Sequence, residues 1–367
     1  MKILFVTDLY NICNNADAKA LNRFVEGWRK AGHEVFVIRP NFLLNTLIRG
    51  KKILKEKLYC DDGVLNLNFL TPFWGRVENK LPKDFDINDF DVLISHMPSG
   101  ALFSLKLLEK KKIPYCISVH ASDIEVLTNP LYSFYFRNKL LKAYETADVI
   151  APRSESLMKK IKDIVKTQKR FFIAPSGVRE EDINCDVHKK ISSPLKITTV
   201  SKLIKRKNVD VVLRALAQIS EFDFEYRIIG DGKERKALEK LAKSLKIENK
   251  VKFIGAVSHD KVFEYLRESD IFVMLSRKET FGLVYLEAMA SGNIVICTKD
   301  DGIDGIIKNS QNGFLCEAEP QKLKDLLIEV YNLSDGEIAR ILENTRKTAF
   351  ENTEKMSCEN YLKNLFN

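Results

Sequence analysis

Residues 270–297 read DIFVMLSRKETFGLVYLEAMASGNIVIC, and this stretch decides the class of fold. Its two ends, Asp270–Leu275 and Asn293–Cys297, are apolar runs of strand length. Between them, Leu283–Ala290 has the residue types and length of a helix, and Gly282 stands directly before it. A strand, a helix and a second strand in succession predict two parallel strands joined by a crossover helix. The stretch therefore predicts an α/β fold.

The same alternation of strand and helix patterns runs through nearly the whole chain. The other predicted strands are Lys2–Thr7, Glu34–Arg39, Val64–Leu70, Asp91–Ser95, Tyr115–Val119, Asp148–Ala151, Phe171–Ala174, Lys196–Val200, Glu225–Ile229 and Lys250–Ile254. The alternation pauses between Pro175 and Pro194, where polar residues predict a linker. We therefore predict two doubly wound, Rossmann-like domains that face each other across a cleft. Their predicted bounds are 1–185 and 186–350, and a C-terminal helix at 351–367 returns to the first domain.

Composition is typical of a globular protein from a reducing compartment. Hydrophobic residues make up 45% and aromatic residues 10% of the 367 residues, which excludes a disordered chain. No apolar run approaches the roughly 20 residues that a membrane span needs. The seven cysteines form no C-x-x-C pair, and Met1–Asp8 reads as a first strand without a signal-peptide cleavage site. We therefore expect a cytoplasmic protein.

The positive charge is concentrated in the first half of the chain. Lysine and arginine exceed aspartate and glutamate by 59 − 50 = 9. Residues 1–200 contain 32 basic and 23 acidic residues, whereas residues 201–367 contain 27 of each. This asymmetry fits an anionic partner, which would be nucleic acid, an acidic ligand or a membrane surface, and it fits a merely soluble surface equally well. Because no nucleic-acid-binding motif accompanies it, we expect no nucleic-acid partner.

Two glutamates of the deciding stretch lie where a ligand of such a sheet is expected. Ligands of open α/β sheets bind beyond the carboxyl ends of the strands. Glu279 lies in the loop after the strand, and Glu287 lies inside the helix that begins near Gly282. The N-terminus of that helix suits a phosphate, and carboxylates accept hydrogen bonds from sugar hydroxyls. The alternative is that Glu279 caps the helix and Glu287 is only solvated.

Cations and histidines follow several other predicted strands. Four cations follow the first strand of the second domain, and they suit a diphosphate unless they form only a solvated turn. They are Lys202, Lys205, Arg206 and Lys207. His120 follows the strand Tyr115–Val119 with Asp123 three residues later, and His96 follows the preceding strand. Both histidines are candidate site residues, although a lone histidine is more often structural.

Sequence motifs for metals and nucleotide cofactors are missing or weak. The chain has no G-x-G-x-x-G after a strand, no G-x-x-x-x-G-K-[ST], no H-E-x-x-H and no G-x-S-x-G. Residues 84–86 and 89–91 both read D-x-D, but the first lies in a polar loop and the second leads into a strand. We therefore expect no metal site and no cofactor.

Taken together, these residues resemble the family 4 glycosyltransferases, a retaining group with the double-Rossmann architecture called GT-B. The resemblance covers nearly the whole chain. Its most specific element is the E-x7-E motif from Glu279 to Glu287, inside the string E-x-F-G-L-x-x-x-E-A-M-A-S-G. Weaker elements follow one another along the chain: AGHEV at 31–35, His120 with Asp123, APSGV at 174–178, IGDG at 229–232 and NGFL at 312–315.

The resemblance implies roles for residues of the second domain. Lys202 and Lys207 match the cations that bind the donor diphosphate and stabilise its leaving charge. Glu279 matches the carboxylate that contacts the transferred sugar, and Glu287 matches the carboxylate that holds the ribose. The backbone of four residues would surround the sugar and phosphates: Thr280, Phe281, Gly282 and Leu283.

The resemblance also implies roles in the first domain. His120 matches a histidine near the reacting centre that positions sugar and phosphate. Asn14 and Asn15 stand where the family has a glycine pair in the first loop. Together with His96 and Asp123, these asparagines are candidates for contacts with the acceptor.

The resemblance implies a retaining hexosyltransferase of class EC 2.4 that acts in cell-surface polysaccharide synthesis. Its partners would be a nucleotide-sugar donor, with a UDP-sugar favoured over a GDP-sugar, and a glycan or lipid-linked glycan acceptor. Protein cations, in place of a metal, would stabilise the leaving diphosphate. The rival interpretation is a catalytically silent nucleotide-sugar-binding or scaffold protein of the same fold, against which the intact pair of Glu279 and Glu287 argues.

One basic segment of the first domain suggests a membrane contact. Residues 41–59 place four leucines at helical spacing, and five cations occupy the rest of the segment. The leucines are Leu43, Leu47, Leu54 and Leu58, and the cations are Arg49, Lys51, Lys52, Lys55 and Lys57. Such a segment suits an anionic membrane and would place the enzyme on the inner face of the plasma membrane. The alternative is an ordinary surface helix, which Gly50 favours slightly.

Overall fold

The structure is a computed structural model that describes residues 1–11, 16–42, 59–60, 63–69, 81–109, 112–184 and 191–366. The chain forms two compact units. Unit 1 consists of Met1–Arg153, Leu157–Pro175 and Ser357–Asn367, and unit 2 consists of Ser154–Ser156 and Ser176–Met356. The main boundary therefore lies at 175/176 and the chain rejoins unit 1 at 357, compared with predicted boundaries of 185/186 and 350/351.

Unit 1 is built on an eight-stranded sheet with the order β3-β4-β2-β1-β5-β6-β7-β8. All neighbouring strands are parallel except β3 and β4. The strands are β1 (Lys2–Val6), β2 (Glu34–Phe42), β3 (Tyr59–Cys60), β4 (Val64–Phe69), β5 (Val92–His96), β6 (Tyr115–Val119), β7 (Val149–Pro152) and β8 (Arg170–Phe171). The helices between them are α1 (Ala16–Lys30), α2 (Met97–Leu107), α3 (Ala121–Thr128), α4 (Pro130–Thr146) and α5 (Glu155–Val165).

Unit 2 is built on a six-stranded parallel sheet with the order β11-β10-β9-β12-β13-β14. Its strands are β9 (Leu195–Val200), β10 (Phe224–Ile229), β11 (Val251–Gly255), β12 (Ile271–Met274), β13 (Ile294–Thr298) and β14 (Phe314–Cys316). The helices of this unit are α6 (Val209–Leu216), α7 (Arg235–Ser244), α8 (His259–Arg267), α9 (Leu283–Ala290), α10 (Pro320–Tyr331) and α11 (Asp335–Glu351). The last helix, α12 (Glu354–Phe366), lies mostly in unit 1.

Helices cover both faces of each sheet, which explains why its central strands are buried along their whole length. Every residue of β5 and β6 is buried, and so is every residue of β12. A strand that is buried on both faces has no solvent side, so polar and apolar residues do not alternate along it. The α/β fold class is therefore confirmed.

The strand orders create a switch point in each sheet. In unit 1 the chain moves outward from β1 through β2 and returns on the other side of β1 at β5. In unit 2 it moves outward from β9 through β11 and returns beside β9 at β12. Loops that leave two neighbouring strands in opposite directions open a crevice at the carboxyl ends, where such sheets bind ligands.

Helix α12 closes the chain and packs in unit 1. The indole Nε1 of Trp28 donates a hydrogen bond to the carbonyl oxygen of Cys358 at 3.1 Å. The guanidinium of Arg170 donates to the carbonyl oxygens of Asn364 and Leu365 at 2.7 and 2.6 Å. A side chain at Gly27 would collide with Cys358 Sγ. These contacts fix α12 against α1 and the end of β8.

Some sequence predictions concern residues outside this description. Asn14 and Asn15 lie outside it, and so do residues 43–58 of the basic segment. Among the helices of the described ranges, none has the length and apolar character needed to cross a membrane.

A glycine sets the distance between α2 and β1. A Cβ on Gly100 would lie 2.5 Å from the backbone oxygen of Val6, whereas a Cβ on Gly336 in α11 would meet nothing within 4 Å. Both glycines are helical, so alanine is favoured at each by helix propensity alone. We expect Gly100→Ala to destabilise the protein by about 1–3 kcal/mol, because the backbone must move to admit the methyl group.

Urea unfolding of the two alanine variants measures this difference. Gly336→Ala serves as the matched control and should be neutral or slightly stabilising. Equal stability of the two variants would show that Gly100 does not set the spacing.

Candidate functional site

The loops after β9 and β12 lie side by side at the switch point of unit 2. These strands are hydrogen-bonded neighbours, with Ile197 opposite Ile271. The loop after β9 contains a 3-10 turn at Lys205–Lys207, and Asn208 then takes a left-handed conformation before α6 begins. The side-chain amide of Asn208 donates a hydrogen bond to the carbonyl oxygen of Leu275 at 2.7 Å. The two loops are therefore tied together where the predicted cations and carboxylate meet.

Lys207 and Glu279 form an ion pair between these loops. The Nζ of Lys207 donates to Glu279 Oε2, and the side chains are only 10% and 14% exposed. The hydroxyl of Ser276 donates to the same oxygen at 2.8 Å, and Arg206 lies 3.6 Å from it. Among the described residues none donates to the other oxygen, Oε1, so this oxygen can accept hydrogen bonds from a ligand.

The charge of the pair follows from its surroundings. Burial raises the pKa of the Glu279 carboxyl, but the charge and hydrogen bond of Lys207 lower it, as do Arg206 and Ser276. The net pKa is below the ordinary value, so Glu279 is ionised at neutral pH. The site therefore presents a carboxylate whose negative charge is compensated by Lys207 and Arg206 on the side of Oε2.

Two glycines fit the backbone closely around Glu279. Gly282 precedes α9 with φ +81°, and a Cβ there would lie 2.5 Å from the ring of Tyr285. Gly302 has φ +53°, and a Cβ there would lie 3.2 Å from the Cβ of Glu279. The carboxylate of Asp301 accepts a hydrogen bond from the Glu279 backbone at 3.1 Å. These constraints hold the loop in one arrangement.

Glu287 has a partner that the sequence analysis missed. Its Oε1 lies 2.9 Å from Nε2 of His259, and the Glu287 side chain is 10% exposed. His259 is the first residue of α8 and follows the carboxyl end of β11. The rule that selected Glu279, proximity to a strand end, would have selected His259 as well.

The remaining predicted donor residues differ in how their side chains are placed. Lys202 is exposed. Its loop packs closely against the loop after β10, because Gly230 and Gly232 have no side chain that would collide with the backbone of Ser201 and Leu203. Thr280 and Leu283 are half-buried. Phe281 is 4% exposed and packs in the core, so only its backbone faces the loop.

In unit 1 the predicted histidines form a buried pair. His96 Nδ1 lies 3.0 Å from His120 Nε2, and the side chains are 0% and 3% exposed. Burial lowers the pKa of both rings, and the nearby Arg153 charge lowers it further; for His96, the charge of His120 also contributes. Both imidazoles are therefore neutral at neutral pH.

Asp123 holds the turn that carries His120. Its Oδ2 accepts a hydrogen bond from the His120 backbone at 2.9 Å, and its Oδ1 accepts one from the Tyr144 hydroxyl at 3.0 Å. Burial raises the pKa of Asp123 to about 7, although both hydrogen bonds lower it. With its ring and backbone both held, His120 has a fixed position.

The two D-x-D segments have structural hydrogen bonds. Asp86 Oδ1 accepts from the backbone of Asn88 at 2.9 Å, and Asp91 Oδ2 accepts from the backbone of Lys2 at 2.7 Å. Within the described part of the chain, no three histidine, cysteine or acidic side chains are grouped so that they could hold a metal ion.

The ion pair at Glu279 predicts a pH-dependent stability. A carboxyl group with a lowered pKa in the folded state stabilises the fold above its ordinary pKa, near 4.5, and loses that contribution as the pH falls through the folded value. At pH 7 we expect Glu279→Gln to cost about 3 kcal/mol, because Lys207 loses its counterion. The difference in the free energy of unfolding between Glu279→Gln and the unsubstituted protein should shrink below pH 4.5.

Urea unfolding from pH 7 to pH 3 measures this difference. Glu343→Gln removes a surface partner of Arg346 and is the control, with little expected change because solvent screens that pair. A Glu279→Gln penalty that persists unchanged at pH 3 would contradict the assignment.

Two family models match this chain. The one for glycosyl transferases of group 1 matches residues 181–348, and the one for glycosyltransferase family 4 matches residues 18–182. The N-acetyl-alpha-D-glucosaminyl L-malate synthase of Bacillus anthracis is 33% identical over 281 residues, which are 73% of this chain and 71% of that protein. The alpha-monoglucosyldiacylglycerol synthase of Acholeplasma laidlawii is 25% identical over 341 residues, 82% of this chain and 81% of that protein.

Solved structures share the fold. HepE of Anabaena, determined in complex with UDP, is 18% identical and matches with a TM-score of 0.75 over 100% of both chains. A sucrose-phosphate synthase from Thermosynechococcus elongatus is 15% identical, with a TM-score of 0.74 over 100% of this chain and 98% of that one. From its sequence relatives and its two α/β units, the chain belongs to the family 4 glycosyltransferases, transferases of class EC 2.4 with the GT-B fold.

Proposed function

We propose that this enzyme transfers a sugar from a nucleotide-sugar donor to a glycan or lipid-linked glycan, with retention of the anomeric configuration. One observation carries the proposal: an ionised carboxylate, Glu279, is bound through Oε2 by Lys207 and Ser276 while Oε1 stays available. A rigid acceptor of this kind suits sugar hydroxyls, and cations beside it suit phosphates.

The donor diphosphate would lie at the cationic end of unit 2. Lys202 and Arg206 are exposed there, Lys207 lies beside Glu279, and the N-terminus of α9 adds a partial positive charge. Negative charge grows on the diphosphate as the bond to the sugar breaks. Fixed positive charge therefore stabilises the transition state more than the ground state, which is the condition for catalysis.

The two glutamates would bind different parts of the donor. Glu279 Oε1 would accept hydrogen bonds from hydroxyls of the transferred sugar. Glu287 would accept hydrogen bonds from the ribose, and His259 Nε2 orients that carboxylate from 2.9 Å away. Because the loops around Glu279 are held by Gly282 and Gly302, little reorganisation is needed when the donor binds.

Retention would follow from a transfer on one face of the sugar. The acceptor oxygen bonds to the anomeric carbon, the bond from that carbon to the phosphate oxygen breaks, and the departing phosphate oxygen takes the acceptor's proton. No side chain has to act as the general base in this scheme. His120, with a fixed position in unit 1, would contact the sugar or phosphate near the reacting centre.

The proposed nucleotide of the donor and the proposed class of acceptor draw support from the related proteins. HepE was solved with UDP and also with UDP and glucose, which supports a UDP-sugar as the donor. The name of the Acholeplasma relative contains a glycolipid product, and other relatives are named for colanic acid and amylovoran synthesis. These names support a glycan or lipid-linked acceptor in cell-surface synthesis, reached from the cytoplasm at the inner face of the membrane.

A donor screen tests the proposal first. We expect one nucleotide sugar, a UDP-sugar before a GDP-sugar, to raise the melting temperature and to be slowly hydrolysed. Since protein cations face the diphosphate, the activity should survive excess EDTA. Binding without turnover of any donor would support the catalytically silent rival, and loss of activity restored by Mn²⁺ or Mg²⁺ would contradict the metal-independent scheme.

Kinetics of two alanine variants separate the roles in unit 2. Lys202→Ala should mainly lower kcat, because it removes charge stabilisation that grows toward the transition state. Glu287→Ala should mainly raise the donor KM, because contacts with the ribose are equally strong in the bound ground state and in the transition state. Each effect should be about 10- to 100-fold, as expected for a charge-assisted contact of roughly 1.5–3 kcal/mol.

The control is Lys240→Ala, which removes an exposed lysine from α7. It should leave both constants unchanged. Wild-type kinetics in Lys202→Ala and Glu287→Ala would mean that the donor binds elsewhere.

A further inference from the structure

The first turns of α4 expose a cluster of large apolar side chains. Leu131, Tyr132, Phe134 and Tyr135 are 71%, 43%, 83% and 56% exposed, and the rings of Phe134 and Tyr135 contact each other edge to face at 4.9 Å. No other stretch of the described residues exposes two large apolar side chains within five positions. A single exposed apolar side chain is ordinary, whereas a cluster marks a surface where another body docks.

The exposed cluster lies on the side of α4 that faces away from the core. The buried residues of this helix are Leu140, Ala143 and Tyr144, all in its second half. Leu140 follows Leu131 by nine residues, about two and a half turns, so the two side chains point in opposite directions. A surface helix normally turns its large apolar residues toward the core. The first half of α4 does the reverse.

These turns project beyond one end of the sheet of unit 1. Helix α4 leads into the start of β7, so it runs from the carboxyl end of the sheet toward its amino end. The hydroxyl of Tyr144 already reaches Asp123, which follows the end of β6. Leu131 precedes Tyr144 by 144 − 131 = 13 residues, about 20 Å along the helix. The cluster therefore lies beyond the end of the sheet that carries His120.

Cations follow the apolar turns along α4. All three of them are exposed, and they are Arg137, Lys139 and Lys142. Residues 129–144 contain no aspartate or glutamate. The neighbouring exposed acids in sequence are Glu125 on α3 and Glu145 in the last turn of α4. The exposed side of the helix thus passes from apolar to positively charged without a negative charge between.

This order of side chains fits an anionic membrane better than a second copy of the chain. Leucine and aromatic side chains bind in the interfacial layer of a bilayer, and cations beside them attract anionic headgroups. In a two-fold dimer on this face, the same residues of both copies would meet. Cations would then face cations, and residues 129–144 supply no carboxylate to compensate them.

We propose that the first turns of α4 dock the protein on an anionic lipid bilayer, with Leu131 and Phe134 among the headgroups and Arg137 and Lys142 on lipid phosphates. The bilayer then lies at the end of unit 1 that carries His120. Delivery of a lipid-linked acceptor to that end rests on the proposed function, whereas the docking itself does not.

Co-sedimentation of the full chain with vesicles tests the docking. We expect binding to mixed phosphatidylcholine and phosphatidylglycerol that weakens with salt, and none to phosphatidylcholine alone. Leu131→Ser combined with Phe134→Ser should weaken binding about tenfold or more, because the apolar contact with lipid is lost. The melting temperature should stay the same, since both side chains are exposed. The control, Phe366→Ser, removes an exposed aromatic ring from α12 and should bind normally.

A pair of charge variants tests the cations. Arg137→Gln combined with Lys142→Gln should weaken binding about fivefold for each cation, which corresponds to roughly 1 kcal/mol per basic residue at an anionic surface. Lys240→Gln combined with Lys243→Gln removes two exposed cations from α7 in unit 2 and should have no effect. Equal losses in the two double variants would mean that only net charge matters, which would overturn the proposed surface.

Tryptophan fluorescence locates the contact with lipid. Brominated phosphatidylcholine in the anionic vesicles should quench Phe134→Trp more than it quenches the unsubstituted protein. Phe366→Trp should add fluorescence that the brominated lipid does not quench. Equal quenching of the two variants would contradict docking through α4.

Three results would overturn the proposal directly. One is failure of the unsubstituted protein to bind anionic vesicles. The second is unchanged binding in Leu131→Ser with Phe134→Ser, which would assign the membrane contact to another part of the chain, such as the basic segment at 41–59. The third is a lipid-free dimer, seen by sedimentation velocity, that the same double variant abolishes, because a second copy would then cover this face.

Donor hydrolysis without vesicles separates this proposal from the proposed function. Leu131→Ser with Phe134→Ser should hydrolyse the nucleotide sugar found in the donor screen at the unsubstituted rate, since both residues belong to unit 1 and the donor site is proposed in unit 2. A slower rate would mean that these side chains serve the reaction and not a membrane. If the unsubstituted protein turned over no nucleotide sugar, the proposed function would fail while the vesicle result stood.

Discussion

The ion pair between Lys207 and Glu279 is the constraint on which the switch point of unit 2 depends. It joins the loops after β9 and β12, and both side chains are nearly buried. Burying one charge alone would cost several kcal/mol, so each residue makes the other tolerable and neither loop can move away independently. The same pair leaves the other carboxylate oxygen, Oε1, without a hydrogen-bond donor among the described residues.

The polar group at the corresponding end of unit 1 obeys different electrostatics. His96 and His120 are more deeply buried than Glu279, and no carboxylate of the described residues pairs with their rings, so burial keeps both neutral. A neutral imidazole pair can transmit the direction of a hydrogen bond without separating charge. The candidate site of unit 2 is therefore built on a fixed pair of charges, whereas the buried polar pair of unit 1 is neutral.

The sequence predicted the fold, and it allowed candidate site residues to be chosen after strand ends, because both steps use local rules. Strand runs, crossover helices and the position of Glu279 after β12 are all local in the chain. The partners are not local: His259 reaches Glu287 across 28 positions, and Tyr361 reaches His96 from the other end of the chain. Such contacts depend on which strands become neighbours, and periodicity carries no information about that. Asn14 and Asn15 remain predictions.

Hydrogen–deuterium exchange with and without UDP tests the central claim that unit 2 holds the donor through the two loops at its switch point. UDP should slow exchange of the backbone amides at 201–208 and 276–287, because phosphate and ribose contacts order these residues. The edge strand β14, which β13 separates from β12, should exchange unchanged. Protection confined to other segments, with none at 201–208 or 276–287, would contradict the account.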